Sequence, residues 1–152
     1  CKGSRLFEVK GQRIALLGTT EVIDSSLVDR WSAVGDRPGV SSAKRVDALV
    51  DAVKAAREQA DTVVVFIHWG EQYVPCPEDV QLELAPKLVE AGADIVVGGH
   101  QHRVAAAGYL GSALVSYGLG NFLFPASTPA ASHSGGCGIA ASTSRMPNIE
   151  LR

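Results

Sequence analysis

The sequence predicts an α/β protein with a mixed sheet, and three features of the chain favour this fold. Two short apolar runs that suit buried strands, Thr62 to His68 and Ile95 to Val97, are separated by a segment of helical periodicity. Another helical segment precedes the first run, and hairpin signals occur near both ends of the chain. Strands that alternate with helices in this way are typical of βαβ units.

The composition is that of an ordinary globular domain. The chain has 152 residues, of which 46% are hydrophobic and 20% are charged, with a formal net charge of −2. This length suffices for one domain with a sizeable core, and we expect residues 1–152 to form part of one domain. The charge gives no basic patch for nucleic acid, so a nucleic-acid partner is not expected. No apolar run approaches the roughly 20 residues of a membrane span, and no signal-peptide pattern opens the chain.

The first half of the chain reads as a hairpin, a long loop and a helix. Arg5 to Val9 and Arg13 to Gly18 are predicted strands around a turn at Lys10-Gly11. Thr19 to Gly39 has no clear period and is predicted to be a loop, in which Trp31 serves as a packing plug. Ser42 to Gln59 is a predicted helix with Ser41 or Ser42 as its N-cap.

The second half begins with another helix and ends in short strands. The helix starts at Pro77, should be kinked or split at Pro86, and has Gly92 as its natural C-cap. Its buried stripe is predicted to contain Val80, Leu84, Leu88 and Ala91. Arg103 to Ala107 and Ala113 to Tyr117 flank a turn at residues 108–111. Residues 125–137 have the composition of a mobile loop, and residues 138–142 and 148–151 are candidate edge strands.

The three cysteines, Cys1, Cys76 and Cys137, include no CxxC pair. Their odd number argues against a disulfide framework and against a thiolate zinc site. One disulfide is compatible with the sequence, but the spacing does not select the pair.

Three of the four histidines follow predicted buried strands. His68 ends one strand, and His100 and His102 come just after another. The carboxyl ends of parallel strands share an edge where ligands collect. In an extended segment, residues i and i+2 project to the same side, so His100 and His102 are predicted to face one point. Imidazole suits Zn, Fe, Mn or Ni. An isolated histidine is most often an ordinary loop residue, and His133 is read that way.

The predicted site is short of carboxylates. Three histidines alone can hold one zinc ion with an open position for water, whereas a two-metal centre needs bridging carboxylates. Asp61 and Asp94 precede their strands and therefore belong at the opposite edge of the sheet. Glu71 is close in sequence but is equally well explained as a solvated residue, and Asp79 serves its helix. If the centre holds two metals, its acidic half lies outside this chain.

Several separate motifs, in order and at the right spacing, carry a family resemblance over about Phe7 to Phe124. They are His68-Trp69-Gly70-Glu71, Tyr73, Pro75, Gln81, Leu84-Ala85, Ala91-Gly92-Ala93-Asp94, Gly98-Gly99-His100-Gln101-His102 and Tyr117-Gly118-Leu119-Gly120-Asn121-Phe122. Together with Val9 to Gly18, they closely resemble the CapA family of capsule synthesis. That family is related to the poly-gamma-glutamate protein PgsA and lies within the calcineurin-like metallophosphoesterase superfamily.

The resemblance implies an α/β/β/α sandwich with two divalent metals of the Mn, Fe or Zn type at the strand ends. It implies that His68 and His100 ligate one metal and His102 the other, so that these three are the catalytic residues. Glu71, Gly99 and Asn121 are then expected to support the ligands or to bind substrate. The reaction would be hydrolysis of a phosphate ester or a related bond. The alternatives are a non-enzymatic assembly or export factor for the polymer, and a mononuclear three-histidine zinc enzyme.

The sequence also departs from the family pattern. The family's N-terminal portion, with its Asp-x-His, bridging Asp and Asn-x-His motifs, has no counterpart here, so the chain is expected to be the C-terminal part of the fold. That missing part and the polymer-synthesis machinery are the expected partners, on the extracytoplasmic side of a bacterial cell envelope. An apolar face that the missing part covers should be exposed. Gln101 stands where many relatives have Pro, and Gly118 where many have Ser.

Overall fold

The computed structural model describes residues 4–121 and the backbone of residues 149–150. The strands are β1 (Ser4–Val9), β2 (Gln12–Thr20), β3 (Thr62–His68), β4 (Ile95–Gly99), β5 (Ala107–Leu110), β6 (Ala113–Ser116) and β7 (Ile149–Glu150). The helices are α1 (Val28–Trp31), α2 (Val46–Arg57) and α3 (Asp79–Glu90). The bounds of β3 are those that the sequence predicts.

These strands form a single mixed sheet in the order β1-β2-β3-β4-β6-β5-β7. Strands β2, β3, β4 and β6 are parallel, and the hairpin partners β1 and β5 run antiparallel to their neighbours. The predicted α/β class is therefore confirmed. The described residues contain one sheet, so the second sheet of the implied sandwich is not among them.

Both long helices cover the same face of the sheet. Helix α2 connects β2 to β3, and α3 connects β3 to β4, with each strand placed next to the one before it. Because parallel crossovers are right-handed, two steps in one direction put both helices on one side. The core lies between these helices and the face of the sheet that they cover, and the residues at its centre are apolar. It includes Ala15, Leu17, Val63, Val65, Ile67 and Val96 from the strands and Leu49, Val53, Ala56, Leu84, Ala85 and Leu88 from the helices.

The opposite face of the sheet is apolar and exposed, and we call it the open face. Side chains alternate along each strand, and the register places the partners Leu16, Val64, Ile95 and Leu114 side by side on this face. Phe66 is 45% exposed although it lies in a central strand. The face is formed by Phe7, Leu16, Val64, Phe66, Ile95, Val97, Tyr109 and Leu114. Contiguous exposed apolar surface of this kind marks an interaction surface.

The helix starts differ from their predictions. Helix α2 begins after Arg45, without a side-chain cap, so the prediction of Ser41 or Ser42 as N-cap is wrong. Ser42 is instead buried and forms a bridge to the end of β2. Helix α3 begins after Glu78, whose backbone N–H donates to Gln81 Oε1 at 3.0 Å. The predicted start at Pro77 lies outside the helix.

The C-terminal half of α3 follows the prediction only in part. Pro86 does not split the helix, which continues to Glu90 because Leu84, Ala85 and Leu88 are packed against the sheet. Gly92 has φ +110°, and its backbone N–H donates to the carbonyl of Val89. The N–H of the next residue, Ala93, donates to the carbonyl of Leu88. This is the Schellman pattern, so Gly92 terminates the helix as predicted. In the predicted stripe, Val80 is exposed and its neighbour Gln81 is buried instead.

Two further local predictions are wrong. The second hairpin turns at Gly111-Ser112, since residues 107–110 form β5, so the predicted turn at 108–111 is displaced toward the C-terminus. Trp31 is 51% exposed and does not plug the loop. The loop is held instead by Arg37, which donates to the carbonyl oxygens of Asp29 and Ser32, and it contains the short helix α1.

The predicted loop at 125–137 and the predicted strand at 138–142 lie outside the described residues. The predicted edge strand at 148–151 contains β7, which pairs with β5. Among the described residues, no helix is both long and apolar enough to cross a membrane.

An ion pair connects the starts of β2 and β3 and gives the fold a dependence on pH. Arg13 donates to both carboxylate oxygens of Asp61, at 2.8 and 3.3 Å, and its backbone N–H donates at 2.9 Å. These hydrogen bonds lower the pKa of Asp61 to about 2. A depressed folded-state pKa contributes stability above the unfolded pKa of about 3.9, and this contribution is lost as the pH falls through about 2.

We therefore expect Asp61→Asn to lose less stability than the wild type on acidification. Urea unfolding should show a smaller fall in midpoint for the variant between about pH 4 and pH 2, the interval between the two pKa values. Asp36→Asn, at an exposed loop aspartate, is the matched control and should follow the wild type. Parallel curves for the wild type and Asp61→Asn would contradict the role of this pair.

Candidate metal centre

Parallel pairing brings the first two histidines together. His68 is the last residue of β3 and pairs in register with Gly99, the last residue of β4, so His100 leaves the sheet beside His68. The ring centroids of His68 and His100 lie 4.4 Å apart at an interplanar angle of 59°. The strand-end clustering that the sequence predicts is thus what the structure shows for these two imidazoles.

His102 reaches the same edge by a different route from the predicted one. The strand ends at Gly99, and His100 and His102 adopt φ angles of +99° and +54° in a tight loop. The prediction that the two side chains align through an extended i, i+2 spacing is therefore wrong. The reversal of the backbone places their ring centroids 6.5 Å apart and turns the side chain of Gln101, between them, into the interior.

Backbone strain is concentrated at this edge. Among the described residues, four that are not glycine have positive φ, and three of them, Tyr73, His100 and His102, lie here. The fourth, Lys10, belongs to the β1–β2 turn, where Lys10-Gly11 has the positive φ pair of a hairpin turn. Strained conformations of this kind cost about 1–3 kcal/mol each and persist where a functional site requires them.

Asn121 fixes the orientation of His102. The distance between His102 Nδ1 and Asn121 Oδ1 is 2.8 Å. Because an amide oxygen only accepts, this contact is a hydrogen bond in the tautomer that carries its proton on Nδ1, which has the ring's lone pair on Nε2. A neutral imidazole with a fixed tautomer is the form that ligates a metal. The structure therefore places Asn121 where the sequence resemblance locates it, beside a predicted ligand.

The electrostatics also favour a neutral imidazole at His68. Partial burial lowers the pKa of His68, and the neighbouring rings of His100 and His102 lower it further. Metal ions bind the deprotonated nitrogen, so a lowered pKa reduces the competition between protons and a metal at neutral pH.

The separation between ring centroids differs between the two pairs of neighbouring histidines. A metal–nitrogen distance of about 2.1 Å puts the centroid of a coordinated imidazole about 3.2 Å from the metal, so two ligands of one metal have centroids at most about 6.4 Å apart. His68 and His100, at 4.4 Å, satisfy this limit and would subtend about 90° at a shared metal, the angle between neighbouring octahedral ligands. His100 and His102, at 6.5 Å, lie at this limit, so one metal could hold both only with the rings on opposite sides of it, and a tetrahedral zinc ion, at about 109°, could not.

The remaining predicted site residues play smaller parts in the geometry. Glu71 is exposed, and its backbone carbonyl accepts the Val74 N–H at 3.4 Å. Gly99 lies next to His68 in the sheet, and a Cβ there would contact the Phe66 ring at 3.2 Å. Within the described part of the chain, no group of three His, Cys, Asp or Glu side chains is arranged to hold a metal ion. The roles of all six predicted residues stay predictions.

Three residues that support the site are not apparent from their sequence positions. Trp69 is fully buried behind the histidines, stacks on Tyr117 and donates Nε1–H to the Tyr117 carbonyl at 2.9 Å. Gln101 is buried as well, and Tyr73 approaches His102. A glutamine between two histidines gives no pattern that predicts burial, because its environment is created by segments distant in sequence.

Comparison with known proteins decides the family. The model of the family described as "Bacterial capsule synthesis protein PGA_cap" matches residues 2–126, most of the chain. The chain belongs to this family. It is 37% identical over 117 residues to "PGA biosynthesis protein CapA" of Bacillus subtilis, which covers 77% of this chain and 30% of that protein. It is also 37% identical over 120 residues to "Capsule biosynthesis protein CapA" of Bacillus anthracis. That match covers 76% of this chain and 28% of that protein.

The chain therefore spans less than a third of the length of these CapA relatives. Among solved structures, it is similar to one from Staphylococcus aureus described as "Putative 5'-Nucleotidase", with 21% identity and a TM-score of 0.48 over 75% of this chain and 23% of that one. The predicted resemblance to the CapA family is confirmed, because the family model matches most of the chain and both CapA relatives are 37% identical to it.

Proposed function

We propose that this CapA-like chain contributes His68, His100 and His102 to a two-metal centre that hydrolyses a phosphate ester or a related bond. The observation that supports this most directly is the pair of ring separations: 4.4 Å allows His68 and His100 to share one metal, and 6.5 Å, too wide for two neighbouring ligands of one metal, favours a second metal for His102. The same distances argue against a single zinc ion held by all three rings.

Within the proposed centre the protein residues position and tune the ligands. His68 and His100 present their imidazoles from adjacent strand ends, and Asn121 favours the His102 tautomer that leaves the Nε2 lone pair for ligation. A pair of divalent metals, when bound, supplies an activated water and a clamp for the phosphate oxygens. The carboxylates that such a pair requires would come from residues outside this chain.

Metal content tests the proposal. The complete protein should retain about two metal ions, and a His68→Ala/His100→Ala double variant should lose at least one of them. The 152-residue chain alone should retain little, because it supplies only part of the ligands. A complete wild-type protein without metal would refute the two-metal centre, and one tightly held metal on the isolated chain would support the mononuclear zinc enzyme instead.

A second function is a non-enzymatic role in assembly or export of the capsule polymer. The observation in its favour is that the described residues by themselves complete no group able to hold a metal. This function predicts that polymer production survives His100→Ala, whereas the hydrolase predicts its loss. Polymer yield in cells that carry the variant separates the two.

The open face favours the proposal that another segment packs against this chain. Its exposed strand residues form an apolar surface on the side of the sheet that no described helix covers, and CapA relatives contain more than twice the length of this chain. We propose that the N-terminal portion of the protein packs on this face and brings carboxylates to the histidine edge. Cys76 is disulfide-bonded, and disulfides persist in oxidising compartments, which fits our proposal of an extracytoplasmic location beside the polymer-synthesis machinery.

The open face leads to a prediction for the isolated chain. The 152-residue chain should self-associate, because unpaired apolar surface in water favours association. Sedimentation should detect oligomers of the wild type, and a Phe66→Thr/Leu114→Thr variant, which keeps β-forming residues, should be more monomeric. Val22→Thr/Val40→Thr, at exposed loop valines, is the matched control. A monomeric wild-type chain that unfolds cooperatively would contradict the proposal that another segment covers this face.

A further inference from the structure

The loop between β3 and α3 is connected to the histidine loop by a pair of hydrogen bonds. The backbone N–H of Tyr73 donates to the carbonyl of Gln101 at 2.8 Å. In the opposite direction, Gln101 Nε2 donates to the carbonyl of Val74 at 2.8 Å. Gln101 thus contacts this loop through both its backbone and its side chain, at the residue between His100 and His102.

The residue held by this connection is in a conformation that needs support. Tyr73 has φ +67°, which an L side chain adopts only at a cost. It is nevertheless 60% exposed, so no burial of its own ring compensates for that conformation. Its ring lies near His102, with centroids 6.1 Å apart and an interplanar angle of 32°. The hydrogen bond from the Tyr73 N–H to Gln101, and that from Gln101 Nε2 to the next residue, therefore hold Tyr73 at the rim of the site.

Gln101 is itself unusual for a polar side chain. It is only 1% exposed, and its Oε1 has no hydrogen-bond partner in the described structure. An unsatisfied buried oxygen is unfavourable, because it has lost its hydrogen bonds to water and gained none in the protein. A buried glutamine kept at such a cost is better explained by what its Nε2 does for the neighbouring loop than by core packing.

Gly118 makes room for this amide. A Cβ at position 118 would lie 2.6 Å from Gln101 Oε1, 3.1 Å from the Arg103 carbonyl oxygen and 3.2 Å from the Ala105 Cβ. The closest of these is the end of a flexible side chain, so the glutamine amide would move before the backbone does. That movement would break the bond from Nε2 to Val74. The residues at 101 and 118 are therefore coupled, although 17 positions separate them in the sequence.

We propose that Gln101 is a positioning residue that fixes Tyr73 at the rim of the histidine site, and that Gly118 is required for it to do so. The consequence for catalysis rests on the proposed function, because a fixed Tyr73 would face a substrate held at His102. The connection itself is independent of that function and can be measured directly on the loop.

Hydrogen exchange in the complete protein tests the proposal, read by mass spectrometry on peptides that span residues 70–76. Gln101→Met removes the Nε2 donor at nearly constant volume, and we expect amide exchange in this segment to be about fivefold to tenfold faster. Gly118→Ala should produce a similar increase by displacing the amide. Because Gln101→Met also removes the unsatisfied Oε1, it should leave the thermal midpoint nearly unchanged.

The double variant and two controls make the result decisive. Gln101→Met/Gly118→Ala should exchange no faster than Gln101→Met alone, since the bond is already absent. Gln59→Ala removes a glutamine whose Nε2 also donates to a backbone carbonyl, that of Ala55, and Gly18→Ala alters a glycine with open space around it. Both should leave the segment unchanged. Additive effects of the two substitutions, or unchanged exchange in Gln101→Met, would overturn the proposal, whatever the metal content of the protein.

Discussion

Replacing Gly98 with alanine should destabilise the fold by about 3 kcal/mol or more, the upper range for overpacking a core position. A Cβ on Gly98 would lie 2.0 Å from the Tyr117 carbonyl oxygen and 2.3 Å from Trp69 Nε1. Both atoms are fixed, because the first is backbone and the second donates to that same carbonyl from a fully buried ring. The clash cannot be relieved by a side-chain rotation and must separate β4 from the segment that follows β6.

Urea unfolding followed by tryptophan fluorescence measures this effect. Gly18→Ala is the matched control, since Gly18 also lies in a parallel strand but a Cβ there would have no neighbour within 4 Å. Adding Trp69→Phe to Gly98→Ala should restore little, because the contact with the Tyr117 oxygen remains. A loss below about 1 kcal/mol, the average for ordinary substitutions, would show that the backbone here is more adaptable than the structure indicates.

In the complete protein, His100→Ala should abolish metal-dependent hydrolysis, the largest effect on activity that the proposed centre allows. His100 has both other histidines nearby, with its ring centroid 4.4 Å from that of His68 and 6.5 Å from that of His102. Asn121→Ala should act more weakly, lowering metal affinity about 10- to 100-fold, because it removes only the hydrogen bond that orients His102.

Titration with a divalent metal distinguishes these two effects. Added metal should restore the activity of Asn121→Ala, whose ligands are all present, and should not restore that of His100→Ala. His133→Ala is the matched control, because it removes the one histidine that lies outside the predicted site. Full activity in His100→Ala would remove this residue from the catalytic centre and favour the assembly function.

The elements that the sequence predicts correctly are those set by local hydrophobic pattern. The apolar run of β3 predicts both of its ends, and the turn at Lys10-Gly11 predicts the first hairpin. The period of α2 identifies its buried residues Leu49, Val53 and Ala56. In each case the pattern repeats within a few residues, so the local sequence contains the information that the structure uses.

The predictions that are wrong concern positions where distant segments meet. The starts of α2 and α3 depend on how the preceding loops are held, and Ser42, a predicted N-cap of α2, instead forms a bridge to β2. An extended backbone is expected to align His100 and His102, but positive φ angles bring them to the site. Nothing in the local sequence reports that Gln101 will be buried or that its amide will lie against Gly118.

Strand periodicity and motif spacing are properties of neighbouring residues, and they are enough to predict the fold class and the family. Only the folded chain gives the separations between the histidine rings, since these depend on strand register and on backbone reversals after β4. The open face also required the fold. Alternation predicts two faces for each strand, but only the packing of α2 and α3 on one side shows which face the described residues leave exposed.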